Sequence, residues 1–429
     1  MKDNNDISFL GRVFLAFKQV SAKLGELRLV QRFKSRQREL SGYVDNSSPV
    51  ESKISFTCNI IKVWCITAFC ILLVAALIFG GSIFTYENVY YMFKDISYIT
   101  DYSESRAEML SYSQPVRNQD FADFKGGLAT VSDSEIKFFT STGRVTLTLG
   151  SEYTDPKIVT GGTKALIFDS GKSSFSIYNS FICEYTERLD YPISSADVSD
   201  SGSIAVVTRG KSYSTAVRVY DNDFSLLTEY SKNDYIVSAK LSSDGKFLAV
   251  ISLDAENGSP KSTLSVLKVG SSELYSTVTV DGAIPYSCDI MTSDRIAAFF
   301  NDRVVVYNMK GAMISEYYYP GEISAIASSE KGFTLVFDEK TASGASMLAV
   351  FDQNGNAYTP KKVTGNVREV AMRDGYVYLL FDDKVVRMDI TRGIEREVET
   401  LVDNARLTVI NTSDVLLCTS ASAYYISFD

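Results

Sequence analysis

The sequence predicts an all-β fold, a β-propeller of four-stranded blades set behind one membrane-spanning α-helix. Three observations carry that reading. A unit recurs every 37–48 residues from about residue 119 onward, a spacing that points to a repeat architecture. Each unit holds a near-continuous apolar run bounded by tight turns, as a strand buried between two sheets requires. Ahead of the repeats, Val63 to Phe84 offers 22 residues without a charged side chain, enough to cross a bilayer core of roughly 30 Å as a helix.

Within each unit the second strand is the clearest. The runs LATVSDS (from Leu128), ALIFDSG (from Ala165), IAVVTRG (from Ile204) and FLAVISL (from Phe247) align with IAAFFND (from Ile296), FTLVFDE (from Phe333), VYLLFDD (from Val377) and VLLCTSA (from Val415). The turns before several of them, SDSGS at Ser199, SSDGK at Ser242 and RDG at Arg373, supply the positive-φ positions a hairpin needs. Third strands end in VRVYDND, VVVYNMKG, LAVFDQNG and VVRMDITRG, from Val217, Val304, Leu348 and Val385. Their Asp or Asn turns lead into a fourth strand, and four-stranded units at this period are blades.

The last unit runs out at Asp429 with three strands, while the segment from Ala107 resembles the fourth-strand segment from Gly311. Pairing residues 107–113 with 423–429 closes a ring of eight blades and hides both open edges. Seven blades with one divergent unit is the alternative. The S-x-D-G-x-x-[LIV]-A and [YF]-[DN]-x-x-G signatures resemble those of bacterial WD40-like, TolB-like and quinoprotein-like propellers. Residues 60–429 also resemble an uncharacterised family of single-span Gram-positive membrane proteins with an extracytoplasmic propeller. That resemblance implies fold and topology only, because the propeller hosts many functions.

The segments ahead of the ring follow from charge. Before Val63 there are eleven basic and six acidic residues, and after it thirty-two basic and forty-six acidic. The positive-inside rule then places the N-terminus in the cytoplasm and the C-terminal mass outside. An uncleaved anchor fits better than a signal peptide, whose apolar core is about 7–15 residues long. Residues 1–40 form a basic amphipathic helix, with Leu10, Val13, Phe17, Val20, Leu24 and Leu27 on one stripe. It could lie on the inner leaflet, pair as a coiled coil or serve only topology. Residues 41–59 are a linker, 60–84 the span, 85–106 a Tyr-rich stalk and 107–429 the propeller.

Composition excludes much chemistry. The chain has no histidine, which removes His ligands, His bases and Ser–His–Asp triads. Cys183, Cys288 and Cys418 are too scattered for a disulfide framework and read as small buried hydrophobes. No Walker A, Cys-x-x-Cys or Gly-x-Ser-x-Gly is present, no cofactor is implied, and an acidic domain does not suit nucleic acid. Segment DQNGN at Asp352 lacks the EF-type spacing and reads as a turn.

The candidate site is positional. Loops between blades share one face with the loops between second and third strands. Seven of them carry an acid: Asp120, Asp155, Asp190, Asp234, Asp281, Glu322 and Asp403. Tyr153, Tyr191, Tyr235, Tyr286, Tyr317, Tyr318 and Tyr319 cluster with them. A ring of carboxylates would favour a cation or a basic partner, and tyrosine adds interface area. Longer loops at Arg209–Thr215, Asp254–Ser262 and Asp338–Ser346 should join that face. The expected function is a non-enzymatic module binding a protein or another envelope component. A transmembrane sensor reporting to residues 7–39 and a carboxylate-dependent envelope hydrolase are the alternatives.

Overall fold

A computed structural model describes residues 62–67, 69–70, 109–112, 119–210, 215–271, 273–338, 345–358, 360–400, 402 and 405–428. The chain divides into two compact units, Met1–Asn88 and Val89–Asp429. In the first, residues 62–67, 69 and 70 are helical and exposed. Among the described residues no helix is long and apolar enough to cross a membrane. The rest of the predicted span, the amphipathic segment, the linker and the stalk lie outside the described residues.

The second unit is eight antiparallel four-stranded sheets, so eight blades replace the seven-blade alternative. The inner strands, one per blade in order, are Asp120–Phe124, Pro156–Thr160, Ile193–Val198, Tyr235–Leu241, Pro285–Thr292, Ile323–Ser329, Glu369–Arg373 and Arg406–Val409. They pack against one another around a central channel. The outer strands are Val145–Gly150, Cys183–Arg188, Leu226–Lys232, Leu274–Asp281, Met313–Tyr318, Lys361–Thr364, Glu395–Glu399 and, in blade 8, Met109–Ser111.

There is no single core. Each boundary between neighbouring blades has its own apolar cluster. That explains the two-faced second strands: Gly127–Val131, Ala165–Asp169 and Ile204–Thr208 are buried at every position, since each faces a different neighbour on each side. Between blades 5 and 6, Phe333 stacks on Phe351 at 4.6 Å and meets Phe299 edge-on at 5.5 Å, geometries that aromatic rings prefer.

The ring closes as expected in kind, with a shorter overlap. Met109, Leu110 and Ser111 pair with Tyr424, Ala423 and Ser422. Leu110 is buried in the cluster between blades 8 and 1. Two expectations are overturned. Asp254–Ser262 is no loop: the second and third strands of blade 4 continue to the pair Glu256 with Ser259. Asn257 and Gly258 both take positive φ, at 54° and 80°, the backbone of a two-residue type I′ turn. Cys288 and Cys418 are buried as expected, whereas Cys183 is exposed on an outer strand.

Candidate functional site

Up-and-down connectivity sends every inter-blade loop to one end of the ring, together with the loops between second and third strands. Asp155, Asp190, Asp234 and Glu322 lie in inter-blade loops, Asp281 ends an outer strand and Asp120 begins an inner one. Asp403 lies outside the described residues.

These acids are in different states. Asp120 accepts from the Ile158 backbone N–H at 3.1 Å, in the next blade. It also pairs with Arg406 at 2.9 Å, in the preceding blade. Arg406 Nε reaches Glu369 at 3.4 Å. Burial alone would lower the Arg406 pKa, but Asp120 and Glu369 together raise it. Asp120 is therefore a clamp across blades 8, 1 and 2. Asp234 is held by Lys232 at 2.8 Å and by the Ser252 hydroxyl at 3.2 Å. Asp155 lies 3.7 Å from Lys157, with both side chains about half exposed, a pair that contributes little. Asp190, Asp281 and Glu322 are exposed. The ring of equivalent open carboxylates is thus replaced by two clamps and a few surface acids.

The tyrosines also separate. Tyr317 meets Phe351 edge-on at 4.8 Å and Tyr319 packs on Phe337 at 5.7 Å, so both belong to the boundary between blades 5 and 6. Burial pushes both phenols up. Tyr153 donates to Ser176 at 3.0 Å, and Tyr191 is half-buried. Tyr235, Tyr286 and Tyr318 stay exposed, as does Ile284, two residues before Tyr286. The Arg209 guanidinium lies 5.6 Å from the centroid of the Tyr235 ring, and that of Arg303 lies 5.1 Å from the Tyr318 ring. These residues fall on three consecutive inter-blade junctions, from blade 3 to blade 6. Ile284 and Arg303 escaped the sequence reading, and Arg209 entered it only as the start of a long loop on this face, because each takes its meaning from a neighbour on another strand or loop.

The channel wall is polar and self-satisfied. Asp197 accepts from Lys240 at 2.7 Å and from the Leu241 N–H at 2.8 Å. Asp289 accepts from the Ser328 hydroxyl. Arg373 donates to Asp123 at 2.9 Å and to the Val409 carbonyl at 2.8 Å. Burial pushes the carboxyls of Asp123 and Asp289 up, against the pull of Arg373 and Lys240. A cavity of about 460 Å³ opens at the channel end away from the inter-blade loops, lined by Phe121, Asp123, Ser328, Met372, Arg373 and Thr408 among others. Its central charges already pair with each other.

The chemistry on offer is modest. Burial pushes the Cys288 and Cys418 thiols up to about 12, which leaves them protonated and unreactive. The Asp352 carboxylate accepts from the N–H groups of Asn354 and Asn356 at 2.8 and 2.9 Å, so DQNGN is a self-capped turn.

The chain belongs to a family of unknown function (DUF5711), whose model matches residues 98–427. No curated protein matches it. Among solved structures it is similar to Sqt1 of Saccharomyces cerevisiae, with a TM-score of 0.54 and 11% identity over 76% of this chain and 100% of that one. It is also similar to Chaetomium thermophilum Sqt1 bound to the N-terminus of the ribosomal protein L10, at 0.52 and 13% over 74% and 98%. BamB from Moraxella catarrhalis follows at 0.50 and 11%, over 76% and 99%. At these identities the likeness concerns the fold alone.

Proposed function

We propose that this chain is a membrane-anchored, extracytoplasmic β-propeller that binds a protein partner at the cell envelope and catalyses no reaction. One observation carries the binding face: the arc of Tyr235, Ile284, Tyr286 and Tyr318, with Arg209 and Arg303 beside two of the rings. Tyrosine and arginine are enriched at the energetic centres of interfaces. Here they stand on or next to strand ends of a closed ring, so little conformational entropy is lost on binding. The Sqt1 complex with the N-terminus of L10 supports a protein ligand for a propeller of this shape. The anchor rests on the uncharged stretch 63–84 and on the charge split around it.

Placing a photo-crosslinking residue at Tyr286 in cells tests the face. A discrete adduct, absent when the crosslinker replaces an exposed residue on the opposite end such as Lys310, is expected; equal labelling from both ends refutes the assignment. Protease added to intact cells tests topology. Digestion of the C-terminal portion is expected, and its full protection removes the extracytoplasmic placement.

A further inference from the structure

The end of the ring opposite the tyrosine arc carries a second surface. In blades 1 to 7 the outer strand starts at this end, and in five of them an exposed apolar side chain stands at or one residue before that start. They are Val145, Leu226, Leu274, Met313 and Ile394, in blades 1, 3, 4, 5 and 7. Blades 3, 4 and 5 double the feature with Leu227, Tyr275 and Ile314, and Met313 is 60% exposed. Cys183 and Lys361 hold the position in blades 2 and 6. Large apolar side chains repeated at one level of a solvent-facing edge are an interaction signature.

We propose that this rim rests on a phospholipid bilayer, dipping its apolar side chains into the headgroup boundary. Two features select a membrane. The side chains run around the circumference, which suits a plane; a bound peptide or a single partner domain would cover one sector. Charge points the same way. Turns at this end are close to balance, with seven basic residues, Lys125, Lys246 and Lys310 among them, against eight acidic ones such as Asp200, Asp221, Asp244 and Glu273. Loops at the other end carry the acidic surplus, with Glu152, Asp155, Asp190, Glu322, Asp382 and Asp383, which an anionic bilayer would repel. The inference rests on the membrane placement proposed above. It orients the ring with the tyrosine arc pointing away from the lipid.

The ring closes within residues 109–428, so residues 98–429 can be tested without the anchor. Vesicles of phosphatidylglycerol and phosphatidylcholine are the probe, in a sedimentation assay. Wild-type ring is expected to sediment with them. The variant Leu227→Ser/Tyr275→Ser/Ile314→Ser should lose at least tenfold in binding with unchanged thermal melting, and Tyr318→Ala should bind as wild type. Absence of wild-type binding, or equal binding by the triple variant, overturns the proposal. Self-association that the triple variant abolishes, without vesicle binding, assigns the rim to a second copy and overturns it as well. Carbonate extraction of the full chain reports the anchor separately, so failure of the rim and failure of the anchor are told apart.

Discussion

Blade 4 devotes seven, ten, ten and eight residues to its strands, and blade 8 devotes four, five, six and three. The first is held chiefly by its own ladder, with ten paired positions between its middle strands. The second has three pairs at its outer edge and is tied to its neighbours by side chains. Arg373 reaches the Val409 carbonyl, Arg387 the Thr412 carbonyl at 2.7 Å, and Arg396 the Phe428 carbonyl. The Tyr378 hydroxyl donates to Thr412 O at 2.8 Å, and Tyr425 donates to Ser141 O at 3.1 Å. A guanidinium presents five donors in a planar fork, which suits bridging two acceptors on different blades. The contrast shows that a ring closed by a short strand can move part of its adhesion from backbone to side chains.

The largest break in this contrast comes from the closing strand. Leu110→Asp puts an unpaired charge among Leu128, Phe139 and Leu416, and we predict a loss of about 4 kcal/mol or more. Leu274→Asp, on the exposed start of the blade 4 outer strand, should stay within about 0.5 kcal/mol of wild type. Denaturant unfolding of both checks this. Similar midpoints would mean that the three-residue overlap does not hold the ring.

Next in size is the arginine stitch. Arg373→Ala leaves Asp123 without its cation and Val409 O without its donor, and should cost about 1–3 kcal/mol, discounted because both charged side chains are partly exposed. Adding Asp123→Asn should recover part of the loss, since burial already favours the neutral form of that carboxyl. No recovery in the double variant would show that the carboxylate is not the source of the cost.

A smaller effect is set by pH. Asp169 ends the second strand of blade 2 and accepts from the N–H groups of Thr154 and Asp155 at 3.0 and 2.6 Å, and from Lys172 at 2.8 Å. Burial opposes its ionisation, but these donors win and hold its pKa below the ordinary carboxylate value. Its stabilisation is therefore complete above the unfolded pKa, near 4, and fades as pH falls through the folded one. The melting difference between wild type and Asp169→Asn should be constant from pH 7 to 5 and shrink below pH 4. A difference that grows towards acid would reverse the assigned sign.

How much of this was legible in the sequence depended on range. Second strands were plain because both faces are apolar, and the eighth blade emerged because three terminal strands needed a fourth. The Asn257-Gly258 turn was legible too, but the length of the segment around it suggested a loop. Tyr317, Tyr318 and Tyr319 look equivalent as a run, yet side chains alternate along a strand, and only Tyr318 faces out. The Asp120–Arg406 clamp was out of reach, because 286 residues separate its partners and no local pattern marks either one.

The smallest stability effect belongs to the face that carries the proposed function, and its smallness is the prediction. Tyr318 is 58% exposed, and its polar tie is to Arg303 at 2.5 Å on the same surface. Removing its ring takes nothing from the cluster between blades 5 and 6, where Phe333, Phe351 and Tyr317 remain packed. Tyr318→Ala should therefore melt within about 2 °C of wild type, given a cost of about 0.5 kcal/mol or less in a domain of this size. The same substitution should reduce partner capture from the Tyr286 position severalfold, because an exposed ring beside an arginine is the kind of group whose truncation costs binding most. Tyr317→Ala should do the opposite in kind, lowering the melting temperature by loosening the Phe351 contact. If Tyr318→Ala and Tyr317→Ala shifted melting and capture alike, the outward tyrosine would be one more piece of the blade boundary, and the arc would lose its standing as a binding face.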